Sequence, residues 1–314
     1  MHTRRQRLTI QFLLVVCALL LLGNVAWFAA YRSAGKAATP ATTPYPLLAR
    51  RVLSDTRNDP IINFVPLRKS LQKNFDALSS EKSFYFEYLP SGTSIRIGAD
   101  NELVAASLIK VPLVMNLYKA AELHKVDLDQ TVIITSNELD DAYGDLYKKG
   151  AGTRLSLREA AKLALTESDN TAAHVIFDST RTALASDQES LNQLDIDQNM
   201  QSGQAVIDAK SYSSVLKGLY LSSYLQPADS QEILHFLSQS TARNRLVAGL
   251  PGGTQVAHKI GVYNAVWSES DCGIVYVPKR PYVICVMVGL PEDQANQFIA
   301  AISKQVYDYV VSQQ

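Results

Sequence analysis

The longest apolar stretch comes first: Leu8 to Ala30 is 23 residues without a charge, "LTIQFLLVVCALLLLGNVAWFAA". As a helix it would extend about 35 Å, enough for a bilayer core of about 30 Å. Arg4, Arg5 and Arg7 precede it, so the positive-inside rule keeps the start in the cytoplasm and sends the remainder out. The pattern predicts a cytoplasmic stub and transmembrane signal anchor over residues 1–31. A cleaved signal peptide is the alternative, with cut sites in "AAYRSAGKAA", but its apolar core usually runs only about 7–15 residues. Residues 32–64 lose all apolar period, and "SAGKAATPATTPYP" reads as a tether.

From residue 65 to 314 the pattern is globular. Leu67, Leu71, Phe75 and Leu78 recur at helical spacing. "SFYFEYL" (83–89) and "TSIRIG" (93–98), separated by "PSG", read as a hairpin. A helical block follows: "SLIKVPLVMNLYKAAEL", with Pro112 expected just past the first turn, then "LSLREAAKLALTE" with Ser156 three before Glu159 as a capping box, then "NTAAHVIFDST" and "AKSYSSVLKGLYLSSYL". After "GLPGG" the texture changes to three strands, "TQVAHKIG", "DCGIVYVP" and "PYVICVMVGL". A last helix from 292 carries Ala295, Phe298, Ile299, Ile302, Val306 and Val310 on one face. The order predicts an α+β, three-layer fold: a five-stranded antiparallel sheet flanked by N- and C-terminal helices, plus an all-helical lobe. A cleft should run between lobe and sheet.

Composition narrows the partners. Thirty basic and thirty acidic residues cancel, which leaves no electrostatic footprint for nucleic acid. Cys17 lies in the apolar run. Cys272 and Cys285 fall on neighbouring predicted strands and either bridge in an oxidising compartment or pack as small buried hydrophobes, the commoner fate of free cysteine. No HExxH, Cys/His cluster or Gly-rich phosphate loop occurs, so neither metal nor cofactor is expected.

The candidate chemistry begins at Ser107 and Lys110, three positions apart at the head of an apolar helix. Ser-x-x-Lys alone says little, since it also starts at Ser33, Ser70, Ser79 and Ser214. At Ser107 a helix N-terminus offers unpaired N–H groups where an oxyanion would form. The apolar surroundings of Lys110 would depress its pKa toward that of a usable base. Ser168-Asp169-Asn170 is the one "SDN" in the chain, and Lys259-Ile260-Gly261 follows on a predicted strand.

In this order the three elements resemble the S-x-x-K, S-D-N and K-T-G signature of the class A β-lactamases and the wider penicillin-recognising serine hydrolases. The resemblance implies a β-lactamase/transpeptidase-like fold over residues 65–314. It implies that Ser107 is acylated, Lys110 is its base, Ser168 passes a proton to the leaving nitrogen, and Lys259 supports Ser168. Asn170 would hold the substrate's amide, and Gly261 and Val262 would form the strand edge, the N–H of Val262 joining that of Ser107 in the oxyanion hole. Two departures stand out. Ile260 replaces the Thr whose hydroxyl helps bind a substrate carboxylate, a loss worth about 1.5–3 kcal/mol. No Glu-x-x-Leu-Asn segment occurs over 171–258, so the carboxylate that activates the deacylating water is missing. Asp195, Asp197 and Asp208 are candidates to replace it, though Asp is more usually a solvated loop or cap residue; Glu167, directly before the SDN, is another, with a surface or structural contact as its commoner task.

The implied function is an exported, membrane-anchored serine hydrolase acting on β-lactams or peptidoglycan-peptide amides, with slow deacylation. The alternatives are a DD-peptidase-like or esterase-like enzyme and a catalytically degenerate envelope binding protein on the same fold.

Overall fold

The computed structural model describes residues 46–48, 62–98, 101–186, 188–196 and 198–313. The predicted membrane anchor, and the tether apart from 46–48 and 62–64, lie outside the described residues. Among the described residues no helix is long and apolar enough to cross a membrane.

Strand periodicity explains the sheet. In β1 (Lys82–Tyr88), Phe84, Phe86 and Tyr88 point to one face and Tyr85 to the other. β10 (Tyr282–Val288) is buried along its whole length. Tyr282, Ile284, Val286 and Val288 join one core, and Val283, Cys285 and Met287 the other. An apolar run without alternation is what a central strand covered on both faces requires. With β2 (Thr93–Ile97), β8 (Val256–Tyr263) and β9 (Ser268–Val275), these strands form the antiparallel sheet β2-β1-β10-β9-β8.

Two helices cover one face, α1 (Val65–Asp76) and α8 (Glu292–Ser312). Leu67, Leu71 and Phe75 of α1 are buried, and Phe75 meets Phe298 of α8 edge-on at 5.1 Å. The other face carries the helical lobe: α2 (Lys110–Glu122), α3 (Leu157–Thr166), α4 (Asn170–Thr180), α5 (Glu189–Gln193), α6 (Ala209–Tyr220) and α7 (Pro227–Ser238). α2 is buried nearly all round, which makes it the lobe's central helix. The expected architecture is therefore present.

Several details differ from the sequence reading. Ala106–Ile109 is a 3-10 turn, and the α-helix begins only at Lys110. Pro112 therefore lies in the first helical turn, where its missing N–H costs no intrahelical bond. Short strands appear that no pattern foretold: β3 (Leu103–Val104), β4 (Thr131–Ile133), β5 (Arg154–Ser156), β6 (Asn199–Gln201) and β7 (Gln204–Ile207). At α3, the Ser156 hydroxyl accepts from Glu159 N at 3.1 Å, the N-cap half of the expected capping box. Cys272 and Cys285 are joined by a disulfide, not packed as free thiols; they are direct cross-strand partners of β9 and β10. Leu47, in the stretch read as tether, is buried in the core of the lobe side. Its N–H donates to Gln231 Oε1 at 2.9 Å, and its carbonyl accepts from Tyr276 Oη at 3.1 Å.

Candidate active site

The SDN stretch forms the corner between α3 and α4. Asp169 caps α4 by accepting from Ala172 N at 2.8 Å, and its second oxygen accepts from Leu146 N at 2.8 Å. Gly144 must stay glycine beneath it, because a Cβ there would lie 2.2 Å from Asp169 Oδ2 and φ is +88°. Ser168 itself has φ +58°, a left-handed conformation that costs a non-glycine residue energy and that this corner imposes.

Both lysines converge on Ser168. Lys259 Nζ, from the edge strand β8, donates to Ser168 Oγ at 2.7 Å. Lys110 Nζ lies 3.3 Å from the same oxygen, and also donates to Ser168 O and, at 2.6 Å, to Asn170 Oδ1. With both lone pairs engaged by amines, the Ser168 hydroxyl keeps its proton free to donate elsewhere. Asn170 is held from its other side too, its Nδ2 donating to Asp140 Oδ1 at 3.0 Å.

Burial changes the amines. Desolvation pulls Lys110 down to about 8 from its ordinary 10.5, against the attraction of Asp169 and Asp140. Lys259, 1 % exposed, is held well below its usual range by burial first and by the neighbouring Lys110 charge second.

Ser107 stands on the 3-10 turn, half-buried, after Ala106 at φ +45°. Its Oγ makes no hydrogen bond among the described residues, and the three protons of the Lys110 ammonium are committed to Ser168 O, Ser168 Oγ and Asn170 Oδ1. β8 packs directly on this turn. A Cβ at Gly261 would come within 2.5 Å of Ser270 Oγ and 2.9 Å of Ala105 O, so only glycine allows the approach. As an edge strand, β8 turns alternate N–H groups away from β9 toward the turn.

A cleft of about 500 Å³ opens beside the SDN corner, its wall including Tyr143, Glu167, Ser168, Lys259, Ile260, Glu292 and the 240–244 loop. Of the predicted residues, Ser168 and Lys259 line it. Ser107, Lys110, Asn170, Gly261 and Val262 do not. Glu167, expected in a surface contact, is exposed and also lines the cleft. Asp195 is exposed, Asp208 caps α6, and Asp197 lies outside the described residues. His258 is buried, its Nδ1 2.8 Å from Asp271 Oδ1, and so offers nothing in place of the missing Thr hydroxyl.

The sequence reading missed Arg245. It is 1 % exposed and donates from Nη1 to Gly261 O at 3.0 Å and Ser270 O at 2.8 Å, from Nε to Asn296 Oδ1 at 2.7 Å, and from Nη2 to Glu269. Burial pushes the Glu269 carboxyl up, against the pull of Arg245. Tyr143, Asp140 and Glu292 were also unforeseen.

A mixed sheet-and-lobe fold, with two desolvated lysines on one serine at the wall of a cleft, is a class A β-lactamase-like serine hydrolase fold. The model of the β-lactamase enzyme family matches residues 66–310, and this chain belongs to that family. An extended-spectrum β-lactamase of Pseudomonas aeruginosa, PER-1, is 25% identical over 232 residues, 65% of this chain and 74% of the relative. Among solved structures, PBP-A superposes with TM-score 0.73 at 23% identity, covering 81% of this chain and 98% of its own. A β-lactamase from Sphaerobacter thermophilus does so with TM-score 0.72 at 19% identity, covering 80% and 99%.

Proposed function

We infer that this chain is an exported, membrane-anchored serine hydrolase that takes acyl groups from β-lactams or cell-wall peptide amides onto Ser107. Lys110, its amine poised near neutrality, gives up one proton and one of its present partners to accept the Ser107 proton as Oγ attacks the carbonyl carbon. As the C–N bond breaks, Ser168 delivers its proton to the leaving nitrogen and is reprotonated through Lys110 or Lys259. The N–H groups of Ser107 and Val262 receive the oxyanion, and Asn170 steers the substrate amide.

The observation that carries this reading is the meeting of Lys110 and Lys259 on Ser168 Oγ at the cleft wall. Slow hydrolysis of the acyl-enzyme is supported by the sequence, which holds no Glu-x-x-Leu-Asn segment over 171–258. That favours a penicillin-binding, DD-peptidase-like behaviour over rapid turnover. A variant of the structural neighbour PBP-A has been solved as an acyl-enzyme with penicillin G. Anchoring is supported by the uncharged run Leu8–Ala30, and an extracytoplasmic, oxidising location by the Cys272–Cys285 bond.

A fluorescent penicillin followed by intact-mass spectrometry tests the reading. A lasting adduct on Ser107, lost in Ser107→Ala, is expected; a folded wild-type protein that acquires no adduct refutes it.

A further inference from the structure

We propose that Asp140 is a positioning residue for acylation, fixing through Asn170 the direction in which that amide meets Lys110. The proposal rests on the serine-acylation reading and adds a residue to which that reading gives no part. Asp140 stands in the loop ahead of the SDN corner, and each of its polar groups is engaged there. Its N–H donates to Thr171 Oγ1 at 3.0 Å, and its carbonyl accepts from the same hydroxyl at 3.2 Å. Oδ1 accepts from Asn170 Nδ2 at 3.0 Å and from Ala142 N at 2.8 Å, while Oδ2 lies 3.3 Å from His174 Nε2. An ionised carboxylate can only accept. The amide nitrogen of Asn170 must therefore turn toward Asp140 and the amide oxygen toward Lys110, whose Nζ it meets at 2.6 Å. The opposite turn would set N–H against the ammonium and oxygen against the carboxylate, two repulsive contacts at once. Burial works against the charge of Asp140, but hydrogen bonds from Asn170, Ala142 and His174 outweigh it and hold the carboxyl below its usual range. The charges facing Lys110 are then Asp169 and Asp140, which favour its ammonium, and the neighbouring cation Lys259. Removing the charge of Asp140 lets Lys110 lose its proton at lower pH.

The test follows labelling of Ser107 by saturating fluorescent penicillin, from about pH 5 to about pH 10, in the wild type, Asp140→Ala and Asp140→Asn. Asp140→Ala removes both the acceptor and the charge. Its limiting rate should fall about tenfold or more, the weight of one charge-assisted hydrogen bond. Asp140→Asn keeps the acceptor, because Ala142 N holds the oxygen of the introduced amide where Oδ1 stands. It should recover most of the limiting rate, while the midpoint of its pH profile moves to lower pH, as in Asp140→Ala. A role confined to holding the loop in place would leave that midpoint where it is. A wild-type rate in Asp140→Ala overturns the proposal and leaves the acyl-enzyme reading intact. So does an Asp140→Asn as slow as Asp140→Ala, or a midpoint unmoved in Asp140→Asn, the variant that carries the test should Asp140→Ala fail to fold. A folded wild-type protein that never labels refutes the underlying reading, and this inference falls with it.

Discussion

At Lys110 an amine has exchanged water for three oxygens of Ser168 and Asn170, and the loss of hydration pulls it down to about 8. Only the neutral amine can take a proton from Ser107, so acylation should rise about tenfold per pH unit below roughly 7 and level off above about 8. A labelling rate that stays flat across this range would remove Lys110 from the base role. Lys110→Ala should abolish labelling with unchanged circular dichroism. Gly261→Ala should push β8 off the Ala105–Ile109 turn, costing about 1–3 kcal/mol in denaturant unfolding and slowing labelling at least about tenfold. The meeting of Lys110, Ser168, Asn170 and Lys259 was legible in part, because each is a polar group set in an ordered run of motifs. Lys259 rests on Ser168 as the resemblance implied, but that Lys110 does so too was not legible, because it depends on a 3-10 turn shifting Lys110 to the helix start. Arg245 was invisible for another reason: its partners Glu269 and Asn296 lie 24 and 51 residues away, on other elements.

At the scale of elements, long patterns read well and short ones did not. The full burial of β10 and the one-sided stripe of α8 announce themselves over 7 and 21 residues. A two-residue strand such as β3 has no period to detect; it exists because its partner β7 is brought alongside, pairing Leu103 with Ile207. The segment before α6 is held by Asn116 Oδ1 accepting from Ser190 N at 2.8 Å and by the Asp208 cap. Asp208 accepts from Lys210 N at 2.8 Å and pairs with Arg96 at 3.4 Å. Asp208→Ala should therefore cost about 1 kcal/mol in chemical denaturation. A neutral result would mean the cap is replaced by water at no cost.

For the molecule as a whole, sheet order was the part no linear pattern could supply. β1, near the start of the described domain, pairs with β10 near its end, Lys82 opposite Val288, so the fold closes only when both halves of the chain are present. One rung crosses the sheet from Lys259 through Cys272 and Cys285 to Tyr85. Cys272→Ser with Cys285→Ser should lower stability by about 2–4 kcal/mol under oxidising conditions, read as a shifted denaturation midpoint. An unchanged midpoint would deny the bridge any part in stability. Both sulfur-bearing residues are wholly enclosed, with helices packed over each face of the sheet. The two sulfurs are shut away from solvent, so a reductant reaches the bond only when those layers part.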